Sequence, residues 1–344
     1  MESREEPSMT EIFSKLPITV DPAKLVKWYS EEAGPIFYLM FGITYECQCN
    51  CRHCCTGNYI KEKHRDLTTD EIKDVLDQAA KPLIVNFFGG EPTLRPDLME
   101  LIEYATERSM YVFTDTNGLK VTKDYAQQLK DSGLELLYVS IDSPVPELHD
   151  KYRGVNGCFD KAVGAIKNAL DVGLKCVIST YMTKESLANG DFEKVIQMSK
   201  DMGTHGVRYL LPTPAGKWLH ETEVMLTPEE KGKVWALTDF PYVCRDFYFQ
   251  TQFSSQCRGV ADKAYMYISP YGDVQPCCFM PLSFGNIRED PLKTVLDRMY
   301  QHPMYSHECM EHQCPMIDRD FRKHYIDTIP DDAKLPFRMD KELN

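Results

Sequence analysis

Residues 36–55 read Ile36-Phe37-Tyr38-Leu39-Met40-Phe41-Gly42-Ile43-Thr44-Tyr45-Glu46-Cys47-Gln48-Cys49-Asn50-Cys51-Arg52-His53-Cys54-Cys55. The first eight residues are an apolar, aromatic run of strand length. A polar loop dense in cysteine follows directly. Working outward, the same kind of run recurs at 83–88, 110–114, 136–141, 175–181 and 206–211. Amphipathic stretches at 68–80, 96–108, 123–132, 159–172 and 191–202 separate them, with apolar residues at helical spacing. The first of these opens Thr68-Thr69-Asp70-Glu71, a capping signature, and carries Ile72, Val75, Leu76 and Ala79 on one face. Gly133, Gly173 and Gly203 stand just past three helices, where left-handed C-caps are expected. Strands alternating with helices imply a parallel α/β sheet with right-handed crossovers. Six such units predict an open, partial (β/α)6 TIM-like barrel, with its chemistry at the C-terminal strand ends.

After Leu211 the pattern breaks at Pro212, Pro214 and Gly216. A helix is expected over 228–239, an aromatic stretch over 240–253, and a hairpin from 264–269 and 273–277 through Pro270-Tyr271-Gly272. The expected division is an N-terminal extension (1–35), the barrel (36–215), a cysteine-rich domain (216–320) and a tail (321–344).

The chain has 344 residues, 39 Lys plus Arg against 52 Asp plus Glu, and a net charge of −13. So acidic a chain is poorly suited to nucleic-acid phosphates or an anionic bilayer. No apolar run approaches the ~20 residues of a membrane helix. The first residues have no signal-peptide character, so a reducing, cytoplasmic location is expected. The sequence holds 13 cysteines, five of them in 47–55 and five between 257 and 314. Such clustering points to metal or redox chemistry. Cys158, Cys176 and Cys244 are scattered and read as buried packing residues.

Within the first cluster only Cys47, Cys51 and Cys54 satisfy CxxxCxxC; from Cys51 and Cys55 the third position would be Asn58. A cysteine stripe on a helix is the bland alternative, but the segment is polar and turn-rich. Structural zinc needs four ligands, which His53 and Cys55 are too local to complete. Three thiolates on a four-iron cluster leave one iron open for another ligand.

The run from Ile43 through Cys47, Cys51 and Cys54 resembles the cluster-binding loop of the radical S-adenosylmethionine (radical SAM) superfamily. Phe87-Phe88-Gly89-Gly90-Glu91-Pro92 resembles that family's Gly-Gly-Glu-Pro motif after the second strand. The resemblance implies that Gly89, Gly90 and Glu91 receive the methionine amino group of S-adenosylmethionine. It further implies cofactor contacts from Asn117, Ser140 and Asp142 at the next two strand ends, and from His53 near the adenine. A turn role for Asn117 and a helix-cap role for Asp142 stay open beside these. His149–Gly154 resembles a recurrent family segment in which Arg153 is of uncertain role.

The second cysteine group, with Gly272-Asp273-Val274-Gln275-Pro276-Cys277 and Gly285-Asn286-Ile287, resembles the auxiliary-cluster extensions called SPASM and twitch. Too few cysteines are present for two auxiliary clusters. One, held by Cys257, Cys277, Cys309 and Cys314, fits the twitch type, with Cys278 as the alternative to Cys309. Four-thiolate zinc is the competing metal. The resemblance implies two [4Fe-4S] clusters, S-adenosylmethionine and an electron donor such as flavodoxin or ferredoxin. It implies reductive cleavage to a 5′-deoxyadenosyl radical that abstracts hydrogen from a substrate. The 35 residues before the first strand are short for a peptide-recognition domain, so a small molecule is the expected substrate. A peptide maturase is the alternative, and an iron–sulfur electron carrier the alternative of another class. Tyr242, Phe247, Tyr248, Phe249 and Phe253 are read as interdomain packing. Cys244, Asp246 and Tyr248 are conceivable acid–base groups without a spacing that assigns them one.

Overall fold

The computed structural model describes residues 38–59, 64–79, 84–239, 241–245, 263, 265–306 and 314–341. The expected alternation is present: β1 (Tyr38–Thr44), α1 (Thr69–Gln78), β2 (Ile84–Gly89), α2 (Leu98–Glu107), β3 (Tyr111–Thr116), α3 (Lys123–Asp131) and β4 (Leu136–Ser140). It continues through α4 (Pro146–Arg153), α5 (Cys158–Asp171), β5 (Cys176–Tyr181), α6 (Lys184–Ala188), α7 (Asp191–Met202) and β6 (Val207–Leu210). Thr68 and Glu71 form the capping box at α1. Gly133, Gly173 and Gly203 take φ of 94°, 72° and 72° past their helices. Helix α4 has no counterpart among the sequence expectations; Pro146 at its first turn is the signal that marks it.

The strands run parallel in the order β6-β5-β4-β3-β2-β1, the curled sheet of a partial barrel. The sheet is longer than six strands. Past α8 (Pro228–Leu237), β7 (Val243–Arg245) pairs parallel with β6. At the other edge β8 (Tyr265–Ile268) pairs parallel with β1, matching Tyr38 to Tyr265 and Phe41 to Ile268. The expected hairpin is therefore built onto the barrel: β8 turns antiparallel into β9 (Val274–Gln275), giving nine strands in the sheet among the described residues. Covering the edge of β1 satisfies backbone groups that would otherwise template misassembly.

Alternation along each strand makes two cores. Leu39, Phe41, Val85, Phe87, Val112, Leu137 and Ile178 face the helices. Tyr38, Met40, Ile84, Tyr111, Phe113, Tyr138, Val177 and Tyr267 fill the barrel interior. Cys244 belongs to that interior and Cys176 to the outer core, both fully buried. Tyr242 packs half-buried with its hydroxyl 2.9 Å from Ser199 Oγ. Phe247, Tyr248, Phe249, Phe253 and Asp246 lie outside the described residues, as do the N-terminal extension and Phe240. Among the described residues no helix is long and apolar enough to cross a membrane.

One polar knot ties the C-terminal region to the barrel. Arg288 donates to both carboxylate oxygens of Glu71 at 2.9 and 3.1 Å and to the carbonyls of Arg65, Asp66 and Tyr271. The Arg288 hydrogen bonds come first among the causes that hold the Glu71 carboxyl well below its usual range. Against the opposing effect of burial, Arg65 and the Thr68 N–H assist. A carboxylate depressed in the folded state stabilises above its unfolded pKa of about 4.3, and that stabilisation is lost as pH falls below it. Glu71→Gln is accordingly expected to flatten the acid-side fall of the denaturant midpoint between roughly pH 5 and 3. Equal pH slopes for variant and wild type would remove Glu71 from the account.

Candidate active site

The loop after β1 carries the CxxxCxxC residues and is held by backbone and polar groups rather than by its thiols. Asn50 and Arg52 donate their N–H groups to the carbonyls of Arg153 and Tyr152 at 2.8 and 3.0 Å. Arg52 lays its guanidinium 3.6 Å from the Tyr152 ring centre. On the other side the Lys217 N–H reaches the Cys54 carbonyl at 3.0 Å and Lys217 Nζ the Cys51 carbonyl at 2.8 Å. Asn58 Nδ2 donates to the Gly216 carbonyl. Segment 149–154, at the end of α4, thus serves as a docking edge for the loop, a use its sequence alone did not reveal.

Cys47, Cys51 and Cys54 are exposed or half-buried and all line one cavity of about 330 Å³ at the C-terminal strand ends. Gly89, Gly90, Glu91, Asn117, Ser140, Asp142 and His53 line the same cavity. Every barrel residue singled out from sequence is therefore gathered at one place.

Glu91 is buried, and most of its acceptor capacity is spent on the fold. Oε1 accepts from Thr93 N–H, Thr93 Oγ1 and Thr116 Oγ1 at 3.2, 2.6 and 2.7 Å; Oε2 accepts from Asn117 N–H at 2.7 Å. Burial raises its pKa and these hydrogen bonds oppose the rise. Oε2, with one donor on it, retains lone-pair capacity, and Glu91 lines the cavity. Asn117 is at once turn residue and lining residue. Its Oδ1 accepts from Leu119 N–H at 2.9 Å, while Nδ2 donates to Gln48 Oε1 at 3.1 Å and lies 3.9 Å from Cys47 Sγ.

Asp142 is no helix cap. Helix α4 begins after Val145 with no side-chain cap, and Asp142 Oδ2 instead meets Arg153 Nε at 2.7 Å and His53 Nε2 at 3.4 Å. The Arg153 contact is chiefly one of charge, since the Nε–H is not aimed along a carboxylate lone pair. Burial alone would raise the Asp142 pKa; Arg153, His53 and His149 outweigh it and hold the carboxyl at about 2. Arg153 also reaches Cys51 Sγ at 3.7 Å, so it couples the cysteine loop to the end of β4. Burial, the largest influence, pushes His53 down to about 4 despite Asp142, leaving a neutral imidazole at pH 7. It packs against Tyr181 and Trp218 with ring centres 4.3 and 5.9 Å away, and His53 and Tyr181 line the cavity with faces suited to a flat heterocycle.

Cys158 is fully buried in α5, in keeping with its reading as a packing residue. Sequence reasoning missed two participants. Arg208 and Asp115 form an ion pair on the cavity wall. For Arg208 the signal is a charge among the apolar residues of β6; Asp115 stands between two threonines at the end of β3 and has no such mark. In the second cysteine group Cys277 and Cys314 are half-buried and Cys278 is buried, lining the barrel cavity. Cys257 and Cys309 lie outside the described residues.

Among the described residues no three His, Cys, Asp or Glu side chains converge on one point as a single metal ion requires. Three thiols spread along a loop at a cavity rim suit a larger, many-atom metal group. Parallel barrels place their chemistry at this end, and a thiol rim there defines a metallocofactor enzyme. A sequence model of the Radical SAM superfamily matches residues 42–198, and one of the SPASM iron-sulfur cluster-binding domain matches residues 257–316. The AdoMet-dependent heme synthase of Methanosarcina barkeri is 27% identical over 281 residues, 74% of this chain and 80% of that protein. The PqqA peptide cyclase of Bradyrhizobium diazoefficiens is 28% identical over 265 residues, 72% of this chain and 68% of that protein. Among solved structures, SuiB of Streptococcus suis bound to precursor peptide SuiA shares the fold with a TM-score of 0.64 at 20% identity, covering 83% of this chain and 68% of that one. The chain belongs to the radical SAM superfamily and carries a SPASM domain. It is an enzyme whose domains bind iron–sulfur and S-adenosylmethionine.

Proposed function

We propose that the protein is a radical SAM oxidoreductase acting on a small molecule of a cofactor-forming pathway. In this reading Cys47, Cys51 and Cys54 hold a [4Fe-4S] cluster with one open iron, and Cys277 and Cys314, with Cys257 and Cys309, hold one auxiliary [4Fe-4S] cluster. When bound and reduced, by a donor such as flavodoxin or ferredoxin, the cluster supplies the electron that cleaves S-adenosylmethionine and so creates a hydrogen-abstracting radical. The chain's own residues bind and orient. The free capacity of Glu91 Oε2 receives the methionine ammonium, Asn117 and Ser140 offer polar contacts beside it, and His53 with Tyr181 and Trp218 flanks the adenine. Met40, Phe88, Leu210 and Phe279 present an apolar wall that keeps water from the reacting centre.

The observation that carries the small-molecule reading is the extent of the heme synthase likeness, which covers 74% of this chain and 80% of that protein. A peptide substrate is the second reading, favoured by the cyclase likeness at 72% and 68% coverage. The test is isotopic. Reduced enzyme and S-adenosylmethionine are incubated with iron porphyrins bearing deuterated side chains, or with a deuterated precursor peptide, and 5′-deoxyadenosine is examined for label. Deuterium from the porphyrin is the expected result; label from the peptide alone would reverse the assignment.

A further inference from the structure

Much of the barrel interior is aromatic and aliphatic, and among the described residues one ion pair stands within it. Arg208 on β6 and Asp115 on β3, with side chains 5% and 12% exposed, form an ion pair on the cavity wall. Asp115 Oδ2 also accepts from Asn86 Nδ2 at 2.8 Å. The Arg208 guanidinium lies 3.8 Å from the Tyr138 ring centre, and its Nε and Nη2 donate to Ser179 Oγ at 3.3 and 2.7 Å.

A buried ion pair of this kind is a poor device for stability, because apolar residues of similar volume commonly serve the fold as well or better. It is a good device for recognition: pockets orient ligands with a few polar groups set in apolar walls. The other cations lining the cavity are engaged by the cysteine loop, Arg153 at Asp142 and Cys51 and Lys217 at the Cys51 carbonyl. Among the described residues, Arg208 is the cavity-lining cation carried by a strand of the barrel wall.

The contacts at its Nε–Nη2 edge say what that edge takes. Asp115 holds one edge of the guanidinium fork and Tyr138 one face. The Nε–Nη2 edge carries the Ser179 hydroxyl, a neutral acceptor whose own proton meets no acceptor among the described residues. A planar carboxylate matches that edge with two parallel N–H···O bonds and can receive the displaced hydroxyl's proton as a third. The Asp115 charge does not forbid this, because Arg208 and Asn86 already share it.

We infer that Arg208 anchors a carboxylate of the substrate at the Nε–Nη2 edge. The inference rests on reading the cavity as a small-molecule site. It adds that the substrate is an acid and that the acid group is seated against β6.

The test uses the anaerobically reconstituted holoenzyme with S-adenosylmethionine bound and unreduced, so that the open iron is occupied. Benzoate is the probe and benzamide its neutral counterpart, both titrated by saturation-transfer NMR. Saturable benzoate binding is expected, with benzamide at least tenfold weaker. Arg208→Gln should abolish the benzoate signal, and Arg208→Lys, which keeps the charge but loses the fork, should weaken it at least tenfold. If Arg208→Gln fails to retain its clusters, Arg208→Lys decides. Absence of saturable benzoate binding in the wild type, or binding at full strength in either variant, overturns the inference. Deoxyadenosine release by the same wild-type preparation under dithionite reports on the underlying reading separately, since its absence condemns that reading whatever benzoate does.

Discussion

Replacing Cys47, Cys51 and Cys54 together by alanine is expected to abolish formation of 5′-deoxyadenosine under dithionite while leaving the chain folded with roughly half its iron. The three thiols hold little of the loop in place. Cys47 Sγ accepts from the Cys49 N–H at 3.4 Å, Cys54 Sγ lies 3.5 Å from Thr56 Oγ1, and Cys51 Sγ lies 3.7 Å from Arg153 Nη1. Sulfur contacts at these distances are weak. The loop is fixed instead by the Asn50 and Arg52 N–H bonds to the end of α4 and by Lys217, none of which the substitutions touch. Loss of the thiols therefore removes a cofactor rather than a structural element. The wild type should hold about eight irons per chain, from two four-iron clusters, and the variant about four. Iron and acid-labile sulfide per chain, read beside deoxyadenosine, separate the possibilities. A wild type that carries zinc without iron would sink the cluster reading. Undiminished deoxyadenosine in the variant would move the reducing centre to the second cysteine group. Two intact clusters with no deoxyadenosine in the wild type would return the protein to the electron carriers.

The barrel was legible because period is a local property. Strands β1 to β6 and five of the helices between them announce themselves through apolar runs, Thr-capped helix starts and glycine stops, while the short α4 and α6 do not; α7 (Asp191–Met202) coincides with its expected span. Partnership between distant segments is not local, and there the sequence was silent. Nothing in Tyr265–Ile268 says that it will lie beside Tyr38–Phe41 rather than fold away with its own hairpin; only the unpaired edge of β1 decides that. Likewise Asp142 reads equally as cap or ligand until Arg153 is seen against it. The site residues that sequence identified are those whose chemistry is unusual in place, such as thiols in a polar loop and glycines at a strand end. Those it missed are ordinary residues made significant by burial: Arg208 among alternating residues of β6, and Asp115 paired with it from β3.

Gly89 and Gly90 should prove the least replaceable residues of the barrel. Gly89 has φ of 148°, a conformation side-chain-bearing residues rarely adopt, and a Cβ there would lie 2.1 Å from the Thr44 carbonyl oxygen. At Gly90 a Cβ would meet the carbonyl oxygens of Glu46 and Tyr45 at 2.3 and 2.6 Å. All of these are backbone atoms, so no rotamer change relieves the clash. The strand end and the cysteine loop must separate, and two hydrogen bonds between them are at stake: Gly90 N–H to Thr44 O at 2.7 Å and Glu91 N–H to Glu46 O at 2.8 Å. Overpacking, backbone strain and lost hydrogen bonds together put the cost of either alanine at about 3 kcal/mol or more. That corresponds to a melting-point drop of about 4 °C or more for a chain of this length. Gly164 in α5 provides the contrast: a methyl group there would find nothing within 4 Å, so Gly164→Ala should be neutral or stabilising by roughly 0.5–1 kcal/mol. The same displacement moves Glu91 and the cysteine loop apart, so Gly89→Ala and Gly90→Ala should lose deoxyadenosine formation even at temperatures where they remain folded. Retained activity at about 20 °C below the variant's own melting point would show that the glycines serve only the turn and that the strand end need not approach the cofactor closely.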